Sequence, residues 1–228
     1  MNLSELSKQL KEQKEQVAQR LLDAGVILDD WTTLNVTGEL TCAPGVRIAA
    51  HVVIEGAVKL GSNVQIGPYT YLKDSTVSAF SEIRPFSSLE SVEIGENCRI
   101  GPYARIRDQC VIARDSSVGN FVELKATKVG ASGKINHLAF LGDTELAADI
   151  IIGAGVITCN HDGTSNVKTK IEQGAFVGCG TELVAPITVG RNATIGAGST
   201  VTHDVDPDGL TLARSRQVRI DDWHRKST

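Results

Sequence analysis

Aliphatic residues recur every six positions through most of this 228-residue chain. One run reads Ile48, Ile54, Leu60, Ile66, Leu72. A second reads Ile94, Ile100, Ile106, Ile112, Val118, Leu124. A third reads Ile171, Val177, Leu183, Val189, Ile195, Val201. Gly often follows the aliphatic, as at Gly61, Gly95, Gly153 and Gly196. A period of six fits neither a helix nor simple strand alternation. It fits a coil that turns a corner every six residues, a β-solenoid with three flat faces. Four residues after each aliphatic comes a smaller group, such as Thr70, Cys98, Ala104, Cys110, Ser116, Ala175, Ala193 or Ser199. Alternating large and small inward groups fill a narrow prism without voids. The low aromatic content, 4%, suits an interior with little room for rings.

The expected architecture is therefore all-β: a parallel β-helix with an N-terminal α-helix and a C-terminal arm. The helix is expected over residues 1–25, from the spacing of Leu3, Leu6, Leu10, Val17 and Leu21. Asn2 and Glu5 suit a capping box, and Gly25 suits the C-terminal stop. The solenoid domain is set at 26–203, with regular coils from about Val46 after a lead-in holding Trp31 and Pro44. Its register slips near Thr76 and Ser91 and is less regular from Leu124 to Ile152. The polar stretch Asn160–Lys170 breaks the period and should project as a loop. Residues 204–228, with Arg214, Arg216, Arg219, Trp223 and Arg225, form an arm expected to lie across a neighbouring surface.

The formal net charge of −4 and the absence of a basic, aromatic-studded stripe argue against nucleic-acid binding. No apolar run is long enough for a membrane span, and the N-terminus carries no signal-peptide core, so a cytoplasmic location is expected. The five cysteines form no Cys-x-x-Cys pair. Cys98 and Cys110 read as packing residues. Cys159 and Cys179 lie where the chemistry is expected, with a structural role favoured over a nucleophilic one.

Irregularity within a regular scaffold is where function concentrates. Four polar clusters stand out: Arg105 and Arg107; Glu123 and Lys125; Asn136 and His137; and Asn160, His161 and Asp162. The stretches GPYARIRD (101–108), VGNFVELKATKVG (118–130), KINHLAFLGDTEL (134–146), IGAGVITCNHDGTSNVKTK (152–170) and FVGCGTELVAPITVGRNATIGAGSTVTHDV (176–205) carry these clusters. They resemble the acetyltransferase half of the bifunctional glucosamine-1-phosphate acetyltransferase / N-acetylglucosamine-1-phosphate uridyltransferase family. RLLDAGVILDD and LNVTGELTCAPGVRI resemble its linker helix and first coils. The resemblance implies a left-handed β-helix.

It also implies a trimeric, acetyl-CoA-dependent N-acetyltransferase acting on an amino sugar phosphate, glucosamine-1-phosphate first. No Gly-rich nucleotide-binding segment is seen, so acetyl transfer without uridyl transfer is expected. By this resemblance His137 is the general base that deprotonates the sugar amine, and Glu123 the carboxylate that orients it. Arg107 and Lys125 are phosphate-binding, Asn160 contacts the amino sugar, and the Ala154 N–H stabilises the oxyanion. Cys179, Ala197 and Arg214, with Ala154, are acetyl-CoA contacts; no metal is required.

The departures concentrate on the acceptor side. The family's Tyr is Phe140, a sugar-contacting Asn is Ile151, a phosphate-binding Lys is Asn166 with Lys168 and Lys170 nearby, and a Tyr is His161. A Lys of the C-terminal arm is Ile220. These losses favour a redirected acceptor over a lost reaction. Two other readings compete. One is a metal-dependent hydratase or hydrolase built on three of His51, His137, His161, His203 and His224. The other is a degenerate, non-catalytic binding scaffold.

Overall fold

The computed structural model describes residues 2–224; Met1 and the 225–228 end of the expected arm, including Arg225, lie outside the described residues. One helix, Leu3–Asp23, precedes a succession of short parallel strands that form a left-handed β-helix. Inside the stack strands pair in parallel with those one coil above and below, so the inward aliphatics stack: Leu72 on Leu89, and Leu89 on Ile106. These ladders run along three faces. The first holds Arg99–Ile100 and Lys134–Gly142 at its start, the second Arg105–Arg107 and Ile157–Cys159, and the third Lys128–Val129 and Thr144–Leu146.

The inward residues of all three predicted runs are buried, as are the smaller partners from Thr70 to Ser199. Full burial of Ile106 among stacked Leu89 and Leu124 makes it a core anchor. Ile106→Ala is expected to lower unfolding stability by about 2–5 kcal/mol, read from denaturant melts, because stacked coils cannot close the cavity.

The register slips have one physical origin. The corner between the second and third faces is one residue tighter in several coils, closed by a single residue in the left-handed region: Asp74 (φ 45°), Ser91 (54°), Ala126 (47°) and Asp143 (50°). The stretch from Leu124 to Ile152 is therefore regular after all, with paired strands throughout. Asn and Asp, which tolerate the left-handed region best, line the corner between the third and first faces at Asn63, Asn97, Asp115, Asp149, Asn192 and Asp208.

Strand pairing begins before the regular coils expected from Val46 and, at the other end, runs past residue 203. Ile27–Leu28 already pairs with Arg47–Ile48, and Asn35–Cys42 pairs along its length with Val53–Leu60. At the other end Leu210–Thr211 pairs with Thr194–Ile195 and Val205 bridges Val189, so the expected break at 203 falls inside the last coil. The pattern is hidden there because Val205 follows Val201 by only four residues and Thr211 stands over Ile195 in place of an aliphatic.

The helix starts as its sequence indicates. Asn2 Oδ1 accepts from Glu5 N at 2.9 Å and Asn2 N donates to Glu5 Oε2 at 3.0 Å. Gly25, at φ 81°, terminates it, with Gly25 N donating to Leu22 O and Val26 N to Leu21 O. Only its C-terminal half packs on the solenoid, through Ala18 and Leu21; Leu3, Leu6 and Leu10 stay exposed. No helix among the described residues is long and apolar enough to cross a membrane.

Candidate active site

The corner between the first and second faces organises the site. Going up the coils, its left-handed position is held by His51, Tyr69, Phe86, Tyr103, Phe121, Leu138, Gly155, Gly180 and Gly198. The lower five are rings, outside the prism and stacked face to face with centroids 4.7, 5.1, 4.9 and 5.3 Å apart. The upper three are bare. Since bulky residues occupy the same φ below, the conformation alone does not demand glycine above. Glycine leaves the upper corner without side chains, and a Cβ at Gly180 or Gly198 would meet nothing within 4 Å.

His137 sits where rings give way to glycines. The residue just before each corner stacks in one row: Asn120, His137, Ala154, Cys179, Ala197. Gly155 N donates to Leu138 O, Gly180 N to Ala154 O at 2.8 Å, and Gly198 N to Cys179 O at 2.8 Å, which fixes that row. Among the described residues the N–H groups of Ala154, Cys179 and Ala197 donate to no backbone carbonyl or side chain. They form a strip of free donors beside a side-chain-free corner. Leu212 and Ala213 close its top, against Gly196 and Thr200, and exposed Arg214 follows directly. The structure thus brings His137, Ala154, Cys179, Ala197 and Arg214 to one edge.

His137 is exposed and opens onto a groove of about 420 Å³ on the first face, lined by Arg84, Arg99, Ser117, Asn120, Lys134 and Asn136. Arg84 is paired with Glu82, whereas Arg99 and Lys134 enter no ion pair among the described residues.

Glu123 makes no hydrogen bond to His137 among the described residues. It lies past the corner on the second face, in register with Phe140, and accepts from Arg107 Nε at 3.1 Å and Nη2 at 2.8 Å. The ring of His137 instead has Nδ1 2.8 Å from Asn120 Oδ1, one coil below. Asn120 was not among the sequence candidates. The usable signal was arithmetic: it precedes His137 by 17 residues, one full coil.

The remaining acceptor candidates divide between faces. Arg107, Glu123, Lys125 and Phe140 share the second face, with Arg107 in register beside Lys125. Arg107 is bound by Glu123 and Asp108, which together hold its charge and occupy three of its five N–H donors. Lys125 enters no ion pair among the described residues and is the freer cation.

Asn160 begins the loop at the next corner. It is almost buried, its Nδ2 donates to Asp143 Oδ2, and it packs against Gly142 beside Phe140. Its amide therefore braces the loop base. The loop closes through an antiparallel bridge between His161 and Asn166, both exposed, and His161 Nδ1 accepts from Gly163 N at 3.0 Å. Asp162 accepts from the Thr164 and Ser165 amides, which lower its pKa. Lys168 is tied to Glu145 at 2.8 Å, so it does not stand free for a phosphate; Thr169–Ile171 is already back in strand. Ile151 lies on the first face, paired with Lys134, away from Arg107 and Lys125 in the same chain. Ile220 and Arg214 are exposed.

The histidines do not converge. His51 stacks on Tyr69, and no cluster of three His, Cys, Asp or Glu able to hold a metal exists among the described residues. The cysteines are all free; Cys98 and Cys110 are buried packing residues, and burial pushes the Cys110 thiol up to about 11. Cys42 is pushed up equally. Cys179 alone is exposed, on the donor strip. A thiol reagent at mildly alkaline pH is expected to modify Cys179 first, and acetyl-CoA to slow that reaction several-fold; labelling followed by peptide mapping checks it.

Comparison with known proteins bears on the fold and on the repeats. Residues 36–140 match the GMPPB C-terminal domain and residues 168–203 match the bacterial transferase hexapeptide, six repeats. The fold is shared with the UDP-N-acetylglucosamine acyltransferases of Bacteroides fragilis and Campylobacter jejuni. Their TM-scores are 0.61 and 0.57 at 15% and 20% identity, covering 78% and 70% of this chain and 69% and 68% of theirs. These solved structures share the left-handed β-helix, and the repeat of residues 168–203 is of the bacterial transferase hexapeptide type.

In sequence the chain is a homologue of the C-terminal half of the bifunctional protein GlmU. It is 50% identical to that of Thiobacillus denitrificans over 212 residues and 45% identical to that of Cupriavidus pinatubonensis over 209. These alignments cover 93% and 92% of this chain and 46% of each relative, so the chain spans about half the length of the proteins it matches.

Proposed function

We propose that this protein transfers the acetyl group of acetyl-CoA to the amine of an amino sugar phosphate, glucosamine-1-phosphate first. The observation that carries the reading is the single edge on which His137 meets the free donors of Ala154, Cys179 and Ala197 beside three bare glycine corners. Pantetheine, a thin chain of amides, fits such a strip, with its carbonyls facing the unused N–H groups. Arg214, at the top of the strip, suits the phosphates at the far end of the cofactor.

The chemistry follows from that placement. The amine nitrogen attacks the thioester carbonyl, and its proton passes to an imidazole nitrogen of His137. The carbonyl oxygen becomes an oxyanion in reach of the Ala154 N–H, whose lack of another partner leaves it available. Collapse expels the CoA thiolate, which takes the proton from the imidazolium. No acetyl-enzyme forms.

On the acceptor side, Lys125 is the principal phosphate group and Arg107 contributes its remaining donors. Phe140 and Ile151 offer no hydrogen bond to a sugar hydroxyl, which makes a different amino sugar with fewer demands there the second candidate. A homotrimer belongs to this reading. Ile151 and Arg107 face different directions in one chain, and a neighbouring copy could bring both to one sugar.

The test is release of free CoA with a panel of amino sugars and their phosphates. Turnover with an amino sugar phosphate above its unphosphorylated parent supports the reading. No turnover by folded protein with any member of the panel overturns it.

A further inference from the structure

We infer that Asn120 is the positioning residue that makes His137 a base, taking the place the carboxylate of Glu123 was expected to hold. The inference rests on the proposed acetyl transfer and adds a residue to it. The two residues are direct partners across adjacent strands, and Asn120 Oδ1 lies 2.8 Å from His137 Nδ1. The backbone locks that pairing: a Cβ on Gly119 would collide with Asn136 O, so the two strands approach more closely there than any other residue would permit.

An amide oxygen is an acceptor only. Facing Nδ1, it selects the tautomer with hydrogen on Nδ1 and leaves the Nε2 lone pair pointing away, free to accept the proton of the attacking amine. The same bond persists after proton transfer, because imidazolium keeps its Nδ1–H. A neutral amide does this without adding a negative charge beside the ring. The charged groups that line the groove around His137 are the cations Arg84, Arg99 and Lys134, while the carboxylates Glu82 and Glu123 are engaged by Arg84 and Arg107. Asn120 thus orients the base without acting as a counter-ion.

The experiment uses the full chain labelled with ¹⁵N-histidine, with Asn120→Ala and Asn120→Asp as variants and thermal melts to confirm folding. In the parent protein the His137 Nδ1 is expected to carry the hydrogen and Nε2 to be bare. Asn120→Ala should randomise that preference. It should also lower kcat about 10–100-fold, the loss typical of a group that orients another, with KM for acetyl-CoA unchanged. Asn120→Asp should restore the tautomer and move the acidic limb of the kcat/KM profile to higher pH, since a carboxylate stabilises imidazolium.

A hydrogen on Nε2 in the parent would overturn the inference, as would an unchanged tautomer and rate in Asn120→Ala. Loss of turnover without either the tautomer change or the pH shift would mark a merely structural role and also overturn it. If His137→Ala kept full turnover, the acetyl-transfer reading would fall instead; the tautomer measurement needs no activity and reports on Asn120 alone.

Discussion

Replacing His137 with Ala is expected to reduce acetyl transfer by about 10²–10⁴-fold, the range a positioned general acid–base supplies. His137 is the one imidazole on the donor strip, between the ring-covered corners below and the glycine corners above. Its side chain is exposed and, among the described residues, bonds only Asn120, so its removal leaves no buried polar group unpaired and the fold should persist. Binding of CoA, read by calorimetry, should be retained because the strip above is untouched. A rate within threefold of the parent would exclude His137 as the base.

The second large effect concerns the bare corner. Gly180→Phe extends the ladder of rings into the proposed cofactor path. The backbone accepts a side chain here: Phe121 holds the same corner at φ 56° against 64° for Gly180, and the added Cβ meets nothing within 4 Å. The left-handed conformation costs a non-Gly residue about 1–2 kcal/mol, which melts will register as a modest loss. The ring should lie over the N–H groups flanking it and raise KM for acetyl-CoA by about tenfold or more, equivalent to at least ~1.4 kcal/mol of lost binding. An unaltered KM in folded protein would show that the cofactor runs elsewhere. The ladder below offers the control: Phe86→Ala removes a stacked ring far from the strip and should leave KM unchanged.

The N-terminal helix and the loop show two different degrees of legibility. Asn2, Glu5 and Gly25 mark the ends of the helix by local chemistry alone, and the structure places both caps where those residues stand. The loop between Cys159 and Thr169 is equally visible, because a polar stretch cannot supply the inward aliphatic. Its internal bonds are not visible. Lys168 looks like a spare phosphate ligand in the sequence, yet Glu145 lies 23 positions away and claims it. Asn160, a sugar contact by resemblance, is also held by Asp143, 17 positions away.

The six-residue period, by itself, determined the prism, its three faces, the identity of the core and the place where regularity fails, because burial in a narrow stack dictates residue size one rung at a time. Which polar side chains meet was decided only by the tertiary structure. Coils of 17 or 18 residues set neighbours that no local pattern announces, and a corner turned between Asn120 and Glu123 sends one toward His137 and the other toward Arg107. That corner leaves the inward Val118 and Leu124 six residues apart, so the hydrophobic period cannot report which outward side chains it separates.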